Sequence, residues 1–165
     1  MATRKIVFSL SESSIAAAIK ELREYQKWVE SKTEILMERL AMIGAKEASV
    51  RFASAIYDGD NDVVVDVERI PNGWKITASG EAVCFIEFGA GVYYNGSEPY
   101  PNPRPGGVSG IGEYGQGKGK QNTWGYYDSG NKLHLTHGNP AAMPMYYASV
   151  EIERAIRSIA REVFT

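Results

Sequence analysis

The chain has 165 residues and 18.2 kDa, the size of one domain, with 44% hydrophobic and 23% charged residues, so wholesale disorder is excluded. Its 18 Lys and Arg against 20 Asp and Glu leave a net charge of -2, which gives no global attraction to nucleic acid or anionic lipid. No apolar run approaches the ~20 residues of a membrane span, and the apolar stretch near the start is too short for an export signal. We therefore expect a soluble chain with no membrane partner.

In chain order, Arg4 to Leu10 (RKIVFSL) is rich in β-branched and aromatic residues and predicts a short strand. Ser11, Glu12, Ser13 and Ser14 then supply N-cap chemistry and first-turn negative charge. Ile15, Ile19, Leu22, Tyr25, Gln26 and Val29 recur at helical spacing, with Lys20, Glu21, Arg23, Glu24 and Lys27 mostly on the other side. Ser31-Lys32-Thr33-Glu34 has capping-box spacing. It marks either the start of a second helix, the reading preferred, or the exposed face of one long helix. Leu36, Leu40, Ile43, Phe52 and Ile56 keep the helical period up to the acidic turn at 57–62.

The period then changes to two. Val63, Val65 and Val67 alternate with Asp62, Val64, Asp66 and Glu68, and Pro71-Asn72-Gly73 supplies a tight turn before GWKITASG, so these strands are expected to form a hairpin. AVCFIEF, apolar on both alternating faces apart from Glu87, predicts a third strand and hence a three-stranded meander. Cys84, the single cysteine, excludes an intrachain disulfide, fits a reducing compartment and is expected to be a small buried residue of that strand.

Residues 89–130 hold 12 of the 17 glycines, four of the seven prolines and many tyrosines, but few aliphatics. We read 89–140 as one long irregular loop or arm inside the domain, functional or ordered by a partner. Asn139-Pro140 and Met143-Pro144 punctuate its end. Val150, Ile152, Ile156, Ile159 and Val163 then mark a C-terminal amphipathic helix. The fold class is α+β: a small, mainly antiparallel sheet packed against N-terminal helices and a C-terminal helix.

Chemistry-bearing patterns are sparse. Gly110 to Gly115 fits GxGxxG, and Gly112 to Lys118 fits GxxxxGK. Neither has the flanking strand and helix that a nucleotide site needs, and Gly119 stands where a P-loop has Ser or Thr. His134 and His137, with Asp128 nearby, lack the helix that would converge them on a metal, and no third ligand is prepared. No nucleophile elbow occurs. Glu87 is the best candidate for a carboxylate perturbed by burial, but one acid is not a catalytic pair; the blander reading is a Glu bonded to loop amides or to a neighbouring subunit. We therefore expect no enzyme, no catalytic residues, no cofactor and no metal. The loop aromatics suit protein interfaces, where Tyr and Trp give large contact area at modest entropic cost. Glu87, Tyr93, Tyr94, Tyr100, Tyr114, Trp124, Tyr126 and Tyr127 are the candidate subunit or partner contacts.

Two motifs carry a resemblance: Ala82-Val83-Cys84-Phe85-Ile86-Glu87-Phe88-Gly89-Ala90-Gly91, and Asn139-Pro140-Ala141-Ala142-Met143-Pro144-Met145-Tyr146-Tyr147-Ala148 before the last helix. Together with the order of elements, they resemble the neck, minor tail and tail-completion (head-tail joining) proteins of long-tailed bacteriophages. In that family the corresponding motifs run roughly Ala-x-Tyr-Ile-Glu-Phe-Gly-Thr-Gly and Pro-x-Pro-Phe-Leu-x-Pro-Ala. Here Met145-Tyr146 replaces Phe-Leu, and Ala48 to Ala53 lacks the family's Pro and Thr-Gly. The resemblance implies a virion structural protein of the neck or tail, assembled in the host cytoplasm without a catalytic site. It implies a homo-oligomeric ring, six- or twelve-fold, between portal-side connector proteins and the tail tube protein, with DNA passing through the lumen without sequence-specific binding. A carbohydrate- or peptide-binding module built on the aromatic loop is the alternative from another class.

Overall fold

The structure is a computed structural model that describes residues 5–57, 59–89, 124–128, 130–136, 139 and 141–165. The architecture is α+β, with helices and two small antiparallel sheets. Helix α1 (Glu12–Ser54) opens with Ser11 as N-cap, its side chain accepting from the Ser14 amide at 3.3 Å. The helix runs unbroken for 43 residues, about 65 Å at the usual rise of ~1.5 Å per residue. The expected break at Ser31 is therefore corrected to the other reading: the capping-box letters fall inside the helix, and Glu34 pairs with Arg69 of the following hairpin. At the far end Asn61 Nδ2 donates to the carbonyl of Phe52 at 2.8 Å, taking one of the last-turn acceptors that a helix leaves open.

Strand β1 (Val64–Ile70) pairs antiparallel with β2 (Gly73–Ser79), closing at Ile70 opposite Gly73. Gly73 and Gly80 take φ of +147° and +139°, which side-chain-bearing residues rarely adopt. Val65, Val67, Ile76 and Ala78 share the half-buried face, as the alternation predicts, and the hairpin lies along α1. Helix α3 (Pro144–Val163) runs antiparallel to α1. Arg51 lies over the Tyr147 ring near one end, Gly44 faces Ile152, Arg39 pairs with Glu162, and Trp28 meets Phe164 edge-on at the other end. Ala48, Phe52, Ala82, Ile86 and Ala148 form the centre of the core, with Val65, Ala78, Ala142 and Met145 packed around it.

Four sequence expectations are corrected here. Residues 5–10 form no strand, since among the described residues no neighbouring strand offers a ladder to them, and Val7 and Leu10 are exposed. AVCFIEF is not a third strand but helix α2 (Val83–Phe88), so the meander reduces to the β1–β2 hairpin. Short apolar runs do not distinguish strand from buried helix by periodicity. Just ahead of α2, both side-chain oxygens of Asp62 accept backbone N–H bonds, from Glu81 at 2.6 Å and Ala82 at 2.9 Å. The helical turn also points Cys84 outward, so the single cysteine is exposed rather than buried. Residues 89–140 are not irregular throughout, because β3 (Trp124–Tyr127) and β4 (Leu133–Thr136) form a second antiparallel hairpin. Among the described residues, no helix is long and apolar enough to cross a membrane.

Candidate functional site

The two motifs that carry the resemblance meet in space. Helix α3 begins at Pro144, which fixes φ and lacks an N–H of its own, and its N-cap is Met143 in the left-handed region at φ 51°. Met143 offers no oxygen to the open amides of the first turn. Glu87 supplies them from the last turn of α2: its carboxylate accepts from the Met145 amide at 2.8 Å and the Tyr146 amide at 3.1 Å. A negative group at a helix N-terminus also complements the helix dipole.

The bonding is reciprocal. The C-terminal carbonyls of α2 are taken by the chain that leads into α3, with the Ala142 amide donating to the Ile86 carbonyl at 2.9 Å and Asn139 Nδ2 to the Phe85 carbonyl at 2.7 Å. Gly89 ends α2 at φ 73°, a left-handed position suited to glycine. Glu87 is 4% exposed, and Asn139, Met143 and Pro144 are buried with it. Residues 85–87, Asn139, Ala142, Met145 and Tyr146 thus form a clasp, and with Glu87 and Asn139 buried at its centre its broken hydrogen bonds are costly. The clasp rests on α1, where the Arg51 guanidinium lies 3.9 Å from the Tyr147 ring centroid and Arg51 Nε holds Glu47 at 2.6 Å.

Asp62 anchors the other end of α2. Its hydrogen bonds from the Ala82 amide and then the Glu81 amide hold its carboxyl below the usual carboxylate range. Asp128 organises the second hairpin in the same way. It accepts from the amides of Gly130 and Lys132, each at 2.9 Å, and meets His134 Nε2 at 2.8 Å; the Lys132 amide and then the His134 ring hold its carboxyl low. His134 stacks on Tyr126 at 5.3 Å between centroids, so this histidine serves a turn. Burial pushes the Tyr57 phenol up, with Tyr126 and Asp62 adding to the shift.

Of the residues the sequence singles out, Glu87 lies inside the chain, where it braces α3. Tyr126 is half-buried and Tyr127 is exposed, on opposite faces of β3. Tyr127, Leu133 and Leu135 make an exposed apolar face, 51% to 72% open. Trp124 begins β3. Tyr93, Tyr94, Tyr100 and Tyr114 lie outside the described residues, as do His137 and the two glycine patterns at 110–118. The residues that sequence reading missed are Asp62, Asn139 and Met143. Asp62 was legible only as a turn former; its position 19 and 20 residues before the amides it binds leaves no local signal. Compared with protein-family models, curated proteins and solved structures, the chain has no match.

Proposed function

We propose that the chain is a structural subunit of a tailed bacteriophage or prophage, a neck or tail-completion ring protein that joins head to tail through protein-protein contacts and performs no turnover. The observation that supports this reading is the clasp. The two short motifs that resemble the family, 54 residues apart in sequence at their nearest bonded residues, Phe85 and Asn139, are the two halves of one buried structure. A ring subunit needs a rigid body of this kind, with side surfaces that repeat by rotation. The exposed Tyr127, Leu133 and Leu135 face, together with the aromatic residues of 89–123, is the surface for neighbouring rings: a portal-side connector on one side and the tail tube protein on the other. DNA would pass through the lumen without sequence-specific contacts.

The test is the mass of the purified chain by light scattering over a concentration series, with negative-stain imaging, alone and after addition of the tail tube protein from the same genome. Closed rings in either condition are expected. A strict monomer in both overturns the reading and turns attention to carbohydrate or peptide ligands of the aromatic loop.

A further inference from the structure

We propose that residues 5–10 of one copy add as a third strand to the open edge of β1 in a second copy. The proposal rests on the ring reading for the number of copies, but the pairing itself is argued from the geometry of one subunit.

The segment has the composition of a strand and no ladder within its own copy. Val7, Phe8 and Leu10 are 79%, 56% and 94% exposed, in a stretch without regular structure. The Ser9 amide donates to Ser14 Oγ at 2.9 Å, which ties the segment to the tip of α1. From that tip the described strands of the same copy are out of reach. The turn end of the first hairpin meets α1 at Glu34 and Met37, where Arg69 pairs with Glu34 and Gly73 faces the Met37 sulfur. Glu34 lies 22 residues after Glu12, about 33 Å along the helix at ~1.5 Å per residue, whereas six extended residues span only about 20 Å. The second hairpin is farther still, since Asn139, three residues after β4, is bonded to Phe85 of α2, and α2 packs through Ile86 with Phe52 near the other end of α1. A ladder for residues 5–10 therefore comes from another copy.

The first hairpin offers that ladder. Among the described residues its sheet has two strands, so β1 has β2 on one side and an open edge on the other. With seven residues it matches the six of the segment, whereas β3 and β4 have four each. The alternation matches too. Val65 and Val67 lie on the half-buried side and Asp66 and Glu68 on the solvent side. An added strand continues the first with Ile6, Phe8 and Leu10 and the second with Lys5, Val7 and Ser9. Charge separates β1 from the edge of β2. The solvent side of β1 carries Asp66 and Glu68, while that of β2 carries Lys75, which pairs with Glu68. Arg69, the only cation of β1, is held by Glu34. Lys5, the only charge in residues 5–10, therefore meets carboxylates on β1 and a cation on β2. Donor segment and acceptor edge lie on different parts of the subunit, so the contact is head-to-tail and repeats by rotation, as a closed ring requires.

Disulfide formation between full chains in a Cys84→Ser background tests the pairing. A Val7→Cys chain is mixed with a longer, tagged chain carrying Asp66→Cys or Glu68→Cys, so that a mixed dimer separates by size from either homodimer. Mixed dimers with at least one of these β1 positions are expected under mild oxidation. A preference for Thr77→Cys on the solvent side of β2, Val7→Cys homodimers alone, or no dimers at all overturns the proposal. Light scattering gives the second arm. Successive amides of a strand point to opposite edges, so Val7→Pro and Phe8→Pro combined in one chain remove a ladder N–H in either register. This variant is expected to associate about tenfold more weakly or worse, with the circular dichroism of the parent because both positions precede α1. Association equal to the parent's overturns the proposal. Rings that form without mixed dimers to β1 refute the pairing and leave the ring reading standing. Mixed dimers to β1 without rings refute the ring reading alone.

Discussion

The carboxylate of Glu87 and the backbone amide of Met145 lie 2.8 Å apart, although 58 residues separate them. Glu87→Ala removes the acceptor of two first-turn amides in a dry site, with an expected loss of about 2–3 kcal/mol in chemical denaturation. Glu87→Gln retains an oxygen and should lose about half as much. Equal stability of Glu87→Ala and the parent would show that α3 is capped otherwise.

Stability should fall in acid partly through Asp62. Its carboxyl is held low in the folded chain, so the ionised form is the one that folding favours. The contribution is fully present above the ordinary carboxylate value of ~3.9 and is lost as pH falls through the lowered folded value. Thermal melts of the parent and Asp62→Asn from pH 7 to pH 2.5 should therefore show a gap in Tm that closes at the acid end. A constant gap would contradict the assignment.

At Gly44, side chains of α3 and of the first hairpin both press against α1. A Cβ placed there would meet the Cδ1 of Ile76 at 2.9 Å and would crowd Ile152. Replacing glycine by alanine in a helix interior ordinarily stabilises by about 1 kcal/mol, but overpacking costs about 1–3 kcal/mol. Gly44→Ala is expected to be net destabilising by about 1 kcal/mol in urea unfolding.

Trp74 presents the opposite case. Its indole Nε1 is buried, with no acceptor in reach among the described residues. Trp74→Phe gives up part of a large ring but also removes an unsatisfied donor, which costs about 1–3 kcal/mol when buried. The substitution should change unfolding free energy by no more than about 1 kcal/mol, far less than the ~3–5 kcal/mol expected for Phe52→Ala at the core centre.

Elements with long, regular patterns were legible in the sequence. The alternation of Val63, Val65 and Val67 and the turn at Asn72-Gly73 predict the first hairpin, and the period of Val150 to Val163 predicts α3. AVCFIEF was misread because six residues hold barely two helical turns, too few for periodicity to separate a helix from a strand. Ser31 to Glu34 was misread for the opposite reason: a local capping pattern is overridden by α3 and the hairpin packing along the same helix. Glu87 stood out as a buried acid in an apolar run, and bonding to main-chain amides was among its readings. Its partner helix was not visible, since a cap supplied from 58 residues away leaves no spacing to recognise.

The clasp has a consequence for how the chain can vary. Because Phe85, Ile86 and Glu87 are bonded to Asn139, Ala142, Met145 and Tyr146, the place where the chain leaves α2 and the place where it enters α3 are one place on the body. Loop closure costs free energy only as the logarithm of the length closed, about 0.6 kcal/mol for each doubling. The number of residues between the two halves of the clasp is therefore weakly constrained by the clasp itself.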